Sequence, residues 1–164
     1  MTRTTLTALT VASLLALSAC GGTPAEPDDG GPAADAITVS DAWLKAADEG
    51  MTGAFGTLTN GGAKEVTVVA VETDAAATAE LHETVVGDSG ETVMQEVTAF
   101  TVPGDSTLVL APGDDHIMLL GLTAPIRAGD EVTYTLLFDD DSRLDVTAPA
   151  KDFAGANETY EEDR

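Results

Sequence analysis

PGDDHIMLLGL, Pro112 to Leu122, opens with a Pro-Gly turn and two aspartates and continues into seven residues of strand character, His116 to Leu122. A turn signal followed by a short apolar run predicts a β-strand with its start at the histidine. The same alternation extends in both directions. Strand-like segments rich in β-branched residues cover 37–45 (ITVSDAWLK), 65–72, 79–86 (AELHETVV), 91–100 (ETVMQEVTAF), 106–111, 131–138 (EVTYTLLF) and 143–148. TGAFGTLTN (52–60) reads as a further strand broken by glycines. Turn signals separate them: NGG at 60–62, GDSG at 87–90, PGD at 103–105, AGD at 128–130 and DDDS at 139–142. No long helical period appears. Strands of this length and spacing predict an all-β unit, an antiparallel sandwich of two sheets or a barrel. Trp43, Phe55, Tyr134 and Phe138 are expected to be core or core-edge aromatics. FDDDSRLD clusters acidic oxygens but lacks the glycine and terminal glutamate of an EF-hand loop, so it reads as a charged hairpin turn.

The ends of the chain differ from the middle. Arg3 followed by the apolar run Leu6–Leu17 reads as a secretory signal, too short to span a bilayer. It ends in Leu17-Ser18-Ala19-Cys20, the pattern of a bacterial lipobox. Residues 1–19 are therefore expected to be a lipoprotein signal peptide, with Cys20 the lipidated residue. Several acyl chains on one cysteine anchor firmly where a single chain does not. Residues 21–35, GGTPAEPDDGGPAAD, read as a flexible linker with a reach of roughly 20 Å. The globular unit is expected over 36–150, and 151–164 as an acidic, disordered tail.

The sequence holds 29 acidic and 7 basic residues, a net charge of −22. That charge argues against a nucleic-acid partner and leaves membrane attachment to the lipid. Cys20 is the one cysteine. Beyond it there is no thiol for a disulfide, a nucleophile or a thiolate ligand. With no Gly-x-Ser-x-Gly elbow and no distinguished carboxylate pair, the chain is not read as an enzyme.

Strand parity draws attention to four side chains. In AELHETVV, Ala79, Leu81 and Val85 share one face, while His82 falls on the other with Glu80 and Thr84. In ETVMQEV, Val93 and Val97 share a face, and Met94 falls opposite with Thr92 and Glu96. His116 and Met118 share one face of HIMLLGL. Both histidines of the chain and two of its four methionines thus stand where simple core filling does not require them. Met51, in a glycine-rich stretch, is expected to pack. Taken singly these residues are ordinary. Taken together, imidazole and thioether form a soft, uncharged donor set suited to Cu(I), whereas zinc favours thiolate or carboxylate beside histidine and calcium favours oxygen.

The spacing of the four resembles the PCuAC-type bacterial copper chaperones. His82 is followed by eleven residues and Met94, then by twenty-one residues and His116-Ile117-Met118. ELH at 80–82, LTN at 58–60, PGDDHIMLLGL and PIRAGDEVTYTLLF (125–138) are similar to the family as well, so the resemblance spans roughly 37–148. Two positions depart from it. Glu83 stands where many members carry a methionine soon after the histidine, and Asp114 stands where a glycine usually follows the Pro-Gly. Asp114 reads either as a turn residue or as an acceptor that orients His116.

The resemblance implies a cupredoxin-like, Greek-key antiparallel β-sandwich that binds one Cu(I) through His82, Met94, His116 and Met118. It implies an extracytoplasmic, membrane-anchored copper carrier. The partner would be a copper-accepting protein, a cytochrome oxidase subunit or an assembly factor. Electron transfer of the blue-copper kind is excluded, because that site needs a cysteine ligand. The alternative reading is a non-metal β-sandwich surface module that binds a protein or polymer.

Overall fold

β-Branched runs separated by turns become strands because the pleated backbone accommodates branched side chains on a half-buried surface. The computed structural model describes residues 30–87, 90–155 and 159–160. The expectations for the signal peptide, for lipidated Cys20 and for the linker up to residue 29 lie outside the described residues. A short helical turn, α1 (Ala33–Ala36), precedes eleven strands among the described residues: β1 (Ile37–Lys45), β2 (Met51–Asn60), β3 (Val66–Glu72), β4 (Ala76–Val86), β5 (Thr92–Val97), β6 (Phe100–Val102), β7 (Ser106–Leu110), β8 (His116–Leu122), β9 (Glu131–Phe138), β10 (Arg143–Lys151) and β11 (Thr159–Tyr160).

The strands hydrogen-bond in the order β11-β5-β4-β8-β2-β1-β10-β9-β3-β6, with β7 also paired to β2. Two layers result. One runs from β11 to β1 and the other from β10 to β6. They join where the end of β1 runs parallel to the end of β10, at Leu44↔Ala150 and Lys45↔Lys151. The other parallel pair among the described residues is β11 with β5. Leu44, Leu58, Leu81, Ile117 and Leu119 of the first layer pack on Val68, Val71, Leu136, Phe138 and Val146 of the second. This is the antiparallel β-sandwich expected from the turn spacing.

Four local features differ from the sequence reading. The run 91–100 is two strands: β5 pairs with β4, and β6 pairs with β3 in the other layer. The chain changes layers at Thr98–Ala99, where no turn residue marks the crossing. The Pro-Gly turn at 112–113 does not reverse the chain. β7 and β8 both pair antiparallel with β2, from Gly56↔Leu110 to Ala54↔Ile117, so residues 111–115 bulge out of one continuous direction. Ala111 N donates to Asp115 O at 2.9 Å and closes the bulge. The linker reading ends earlier than Asp35, since α1 docks on the DDDS turn through Ala33 N to Asp140 Oδ2 (2.7 Å) and Ala34 N to Ser142 Oγ (3.0 Å). The bond from the Ser142 hydroxyl, then those from the backbone amides of Ala33 and Ser142, hold the Asp140 carboxyl below its usual pKa. Finally, part of the tail read as disordered is ordered into β11.

Asn60 closes β2 and is buried. Its Nδ2 donates to Lys64 O (2.7 Å) and Val102 O (3.0 Å), and its Oδ1 accepts from Gly62 N at 2.9 Å. One side chain thus ties the NGG turn to the second layer. Asn60→Ala leaves two carbonyls and one amide without this partner, and each unmade buried bond costs about 1–3 kcal/mol. We expect Asn60→Ala to lower unfolding stability by about 3 kcal/mol in urea, against under ~0.5 kcal/mol for an exposed control such as Thr107→Ala.

Candidate metal centre

The register of three neighbouring strands sets the site. His82 on β4 pairs with His116 on β8, and the next aligned pair toward Ala76 is Glu80 with Met118. Across the other edge of β4, Thr84 pairs with Met94 on β5. On the far side of β8, Met118 pairs with Gly53 of β2. Residues paired across a ladder project to the same face. His82, His116, Met94 and Met118 therefore rise from one face of the first layer, opposite the Leu81–Ile117–Leu119 core face.

All four are buried: His82 is fully enclosed, and His116, Met118 and Met94 are 3%, 4% and 5% exposed. The imidazole centroids of His82 and His116 lie 5.6 Å apart. His116, Met94 and Met118 line one cleft of about 220 Å³, together with Phe55, Gly53 and Met51. His82 does not line this cleft; its ring neighbours that of His116. The expectation that strand parity leaves His82 on a polar face is corrected here. β4 is flanked by β5 and β8, and His82 is buried on that face although Thr78 and Val86 at the same parity are exposed, so polar parity does not mean solvent.

Each imidazole is oriented by an oxygen that can only accept. His82 Nε2 meets Glu80 Oε2 at 2.9 Å, and His116 Nδ1 meets the Asp114 carbonyl at 2.8 Å. Those nitrogens donate, which leaves the lone pair of each neutral ring on Nδ1 of His82 and Nε2 of His116. Both of these nitrogens are buried and take part in no hydrogen bond among the described residues. Asp114 acts through its backbone. Its own carboxylate accepts from Asp115 N at 3.1 Å. Burial, then the charges of Asp114 and Glu83, push the neighbouring Asp115 carboxyl above its usual range.

Several wall residues were not legible as such. Phe55, expected only as a core aromatic, lies 6.0 Å from the His116 ring and 4.7 Å from Trp43, centroid to centroid. Gly53 makes room for it, since a Cβ at residue 53 would come within 2.6 Å of Phe55 Cζ. Met51, expected to pack, is 44% exposed at the cleft. Tyr134 and Phe138 are core residues as expected. The one signal for Gly53 and Phe55 was their i, i+2 spacing on a strand. Its meaning depends on which strand lies alongside, and periodicity does not give that. Among the described residues, no group of three His, Cys, Asp or Glu side chains is arranged to hold an ion. Met94 and Met118 bring thioether sulfur to the cleft.

Comparisons with known proteins bear on the family and the fold. The family model described as "Putative lipoprotein LpqE-like" matches residues 37–150. The chain is 48% identical over 164 residues to "Putative lipoprotein Lxx21020" of Leifsonia xyli subsp. xyli (strain CTCB07), covering 98% of this chain and 99% of the relative. The solution structure of CuI-DR1885 from Deinococcus radiodurans is 31% identical with a TM-score of 0.58, covering 76% of this chain and 85% of that one. The copper-bound PCuAC domain from PmoF2 has a TM-score of 0.61 at 18% identity, covering 72% of this chain and 94% of that one, and bears on the fold alone. On the family model and the near-complete alignment to its Leifsonia relative, the chain belongs to the LpqE-like family and carries the cupredoxin-like sandwich of PCuAC domains.

Proposed function

We propose that this protein is an extracytoplasmic copper carrier that binds one Cu(I) through His82, Met94, His116 and Met118. The observation that carries the reading is that His116, Met94 and Met118 line one cleft, with the His82 ring 5.6 Å from that of His116, centroid to centroid. Two neutral nitrogens and two thioether sulfurs match the softness of Cu(I) and suit neither zinc nor calcium. Such a set leaves the charge of the ion uncompensated. It holds copper by donor softness and yields it to a thiolate, whose negative charge binds Cu(I) more strongly. That is the behaviour of a carrier rather than of a permanent centre. The copper named in the titles of the DR1885 and PmoF2 structures supports extending copper binding to this relative.

The lipobox at Leu17–Cys20 supports a lipid anchor on the outer side of the cytoplasmic membrane. No helix among the described residues is long and apolar enough to cross a membrane. Ile37, where the linker joins the sandwich, pairs with Asn60, whereas the cleft lies near Met51 at the other end of β2. The anchor therefore attaches about ten strand residues, or ~30 Å, from the cleft and leaves its mouth clear. The acceptor that fits the resemblance is a copper-receiving protein of cytochrome oxidase, either a subunit or an assembly factor. Chelator competition with Cu(I) tests the binding step. We expect one ion per chain. Absence of Cu(I) binding would favour the surface-module reading instead.

Glu80 offers a test of the orientation argument. Glu80→Gln keeps the size and can still hold the ring through its amide oxygen, so binding should fall only slightly. Glu80→Ala removes the acceptor that fixes the His82 tautomer. Loss of such a partner typically lowers metal affinity by about 10–100-fold. Equal Cu(I) affinity of Glu80→Ala and wild type would show that Glu80 does not position His82.

A further inference from the structure

Methionine is scarce in this chain and is not scattered. After Met1 the sequence holds Met51, Met94 and Met118, and all three line the same cleft beside His116. Met51 opens β2 in register with Leu120 of β8, while Gly53 is in register with Met118. Met51 and Met118 are therefore diagonal neighbours on one face, a relation that long side chains span. The five soft donors form a gradient of exposure: His82 is at 0%, His116 at 3%, Met118 at 4%, Met94 at 5% and Met51 at 44%. The backbone before Met51 is fixed, since Gly50 O accepts from Gly121 N at 2.8 Å and from Leu122 N at 3.0 Å. The Met51 side chain has three rotatable bonds and a large part of its surface in solvent, so its thioether can swing over an anchored backbone.

Resting on the copper reading above, we propose that Met51 is the transfer ligand of this site, the donor that holds Cu(I) between the buried centre and the acceptor. His82 does not line the cleft, whereas His116, Met51, Met94 and Met118 all do. The chain therefore offers two overlapping donor sets that share His116, Met94 and Met118. The inner set is completed by the enclosed imidazole of His82, the outer set by the exposed thioether of Met51. In the step between them the bond from copper to His82 breaks as the bond to the Met51 sulfur forms. Copper stays Cu(I) and both donors are neutral, so no electron or proton moves. A thiolate of the acceptor then displaces the donor nearest to solvent. Met51 must give up side-chain freedom to bind, whereas His82 is already held by Glu80, so the inner set keeps the ion at rest. Met51 thus acts on the rates of entry and release and hardly on affinity.

The test uses Met51→Leu in the whole chain. Leucine nearly conserves the volume of methionine and takes away the sulfur donor. Stopped-flow transfer of bound Cu(I) to excess bathocuproine disulfonate should slow by roughly tenfold, or ~1.4 kcal/mol of barrier, while the equilibrium constant stays within about threefold. X-ray absorption supplies a readout that a merely structural role would not move. In folded, Cu(I)-loaded His82→Ala the ion is left with the outer set, so one nitrogen and three sulfur scatterers are expected, falling to two sulfurs when Met51→Leu is added. Transfer at the wild-type rate in Met51→Leu, or a sulfur count in His82→Ala that Met51→Leu does not lower, overturns the role of Met51 and leaves the copper reading standing. An affinity loss in Met51→Leu as large as in Met118→Leu overturns it as well, since Met51 would then belong to the resting set. Failure of the unaltered chain to bind Cu(I) overturns the copper reading and the transfer ligand with it.

Discussion

His116→Ala should lower Cu(I) affinity by at least ~100-fold, the upper end of what losing a mere orienting partner costs a metal site. The reasons are particular to this residue. Its ring neighbours those of Phe55 and His82, and its Nδ1 is committed to the Asp114 carbonyl, so the Nε2 lone pair is the one left for a metal. A neighbour cannot substitute for it: the next strand residue with the same direction is Met118, already in the proposed set. The copper-free variant should remain folded, because the core face of β8 is made by Ile117 and Leu119 on the opposite side. A cavity of this size near a cleft costs about 2 kcal/mol. Chelator competition gives the affinity, and circular dichroism with a thermal melt separates ligand loss from unfolding. Wild-type affinity in a folded His116→Ala would remove this histidine from the site.

Met118→Leu separates sulfur chemistry from packing. Leucine nearly conserves the volume of methionine and fills the same buried position opposite Gly53, so stability should change by less than ~1.5 kcal/mol. Cu(I) affinity should nonetheless fall by ~10–100-fold or more, since the loss is a donor rather than an orienting partner. The effect should be much smaller for Met51→Leu, because Met51 is exposed at the mouth of the cleft. Equal losses for Met118 and Met51 would point to a diffuse methionine-rich surface rather than a defined centre. The two strong variants share one ion, so their effects should not add.

The turn grammar carried the fold well. Gly, Pro, Asn and Asp clusters marked nearly every strand boundary, and the β-sandwich followed from their spacing. Three things were hidden for physical reasons. The layer change at Thr98–Ala99 uses ordinary residues, because a strand can bend from one sheet to the other without a tight turn. The PGDD bulge looks like a reversal in sequence, since the same residues serve both. The burial of His82 depends on what covers the second face of β4, and inward–outward alternation assumes that one face is wet. The four candidate ligands stood out in the sequence through their spacing and resemblance. The cleft residues Gly53 and Phe55 did not, because β2 meets β8 only through a long-range pairing that local sequence does not encode.

The position of Glu83 on β4 illustrates the same point. It stands where the sequence resemblance leads one to expect a methionine. In the structure Glu83 pairs with Gln95 and accepts from its Nε2 at 2.7 Å, on the face away from His82. A methionine there would not have reached the cleft from that strand face.

X-ray absorption at the copper edge of the Cu(I)-loaded protein tests the central claim most directly. Two sulfur and two nitrogen scatterers per copper are expected, with one sulfur lost in Met118→Leu and one nitrogen lost in His116→Ala. A spectrum fitted by nitrogen and oxygen alone, unaltered by Met118→Leu, would contradict the account.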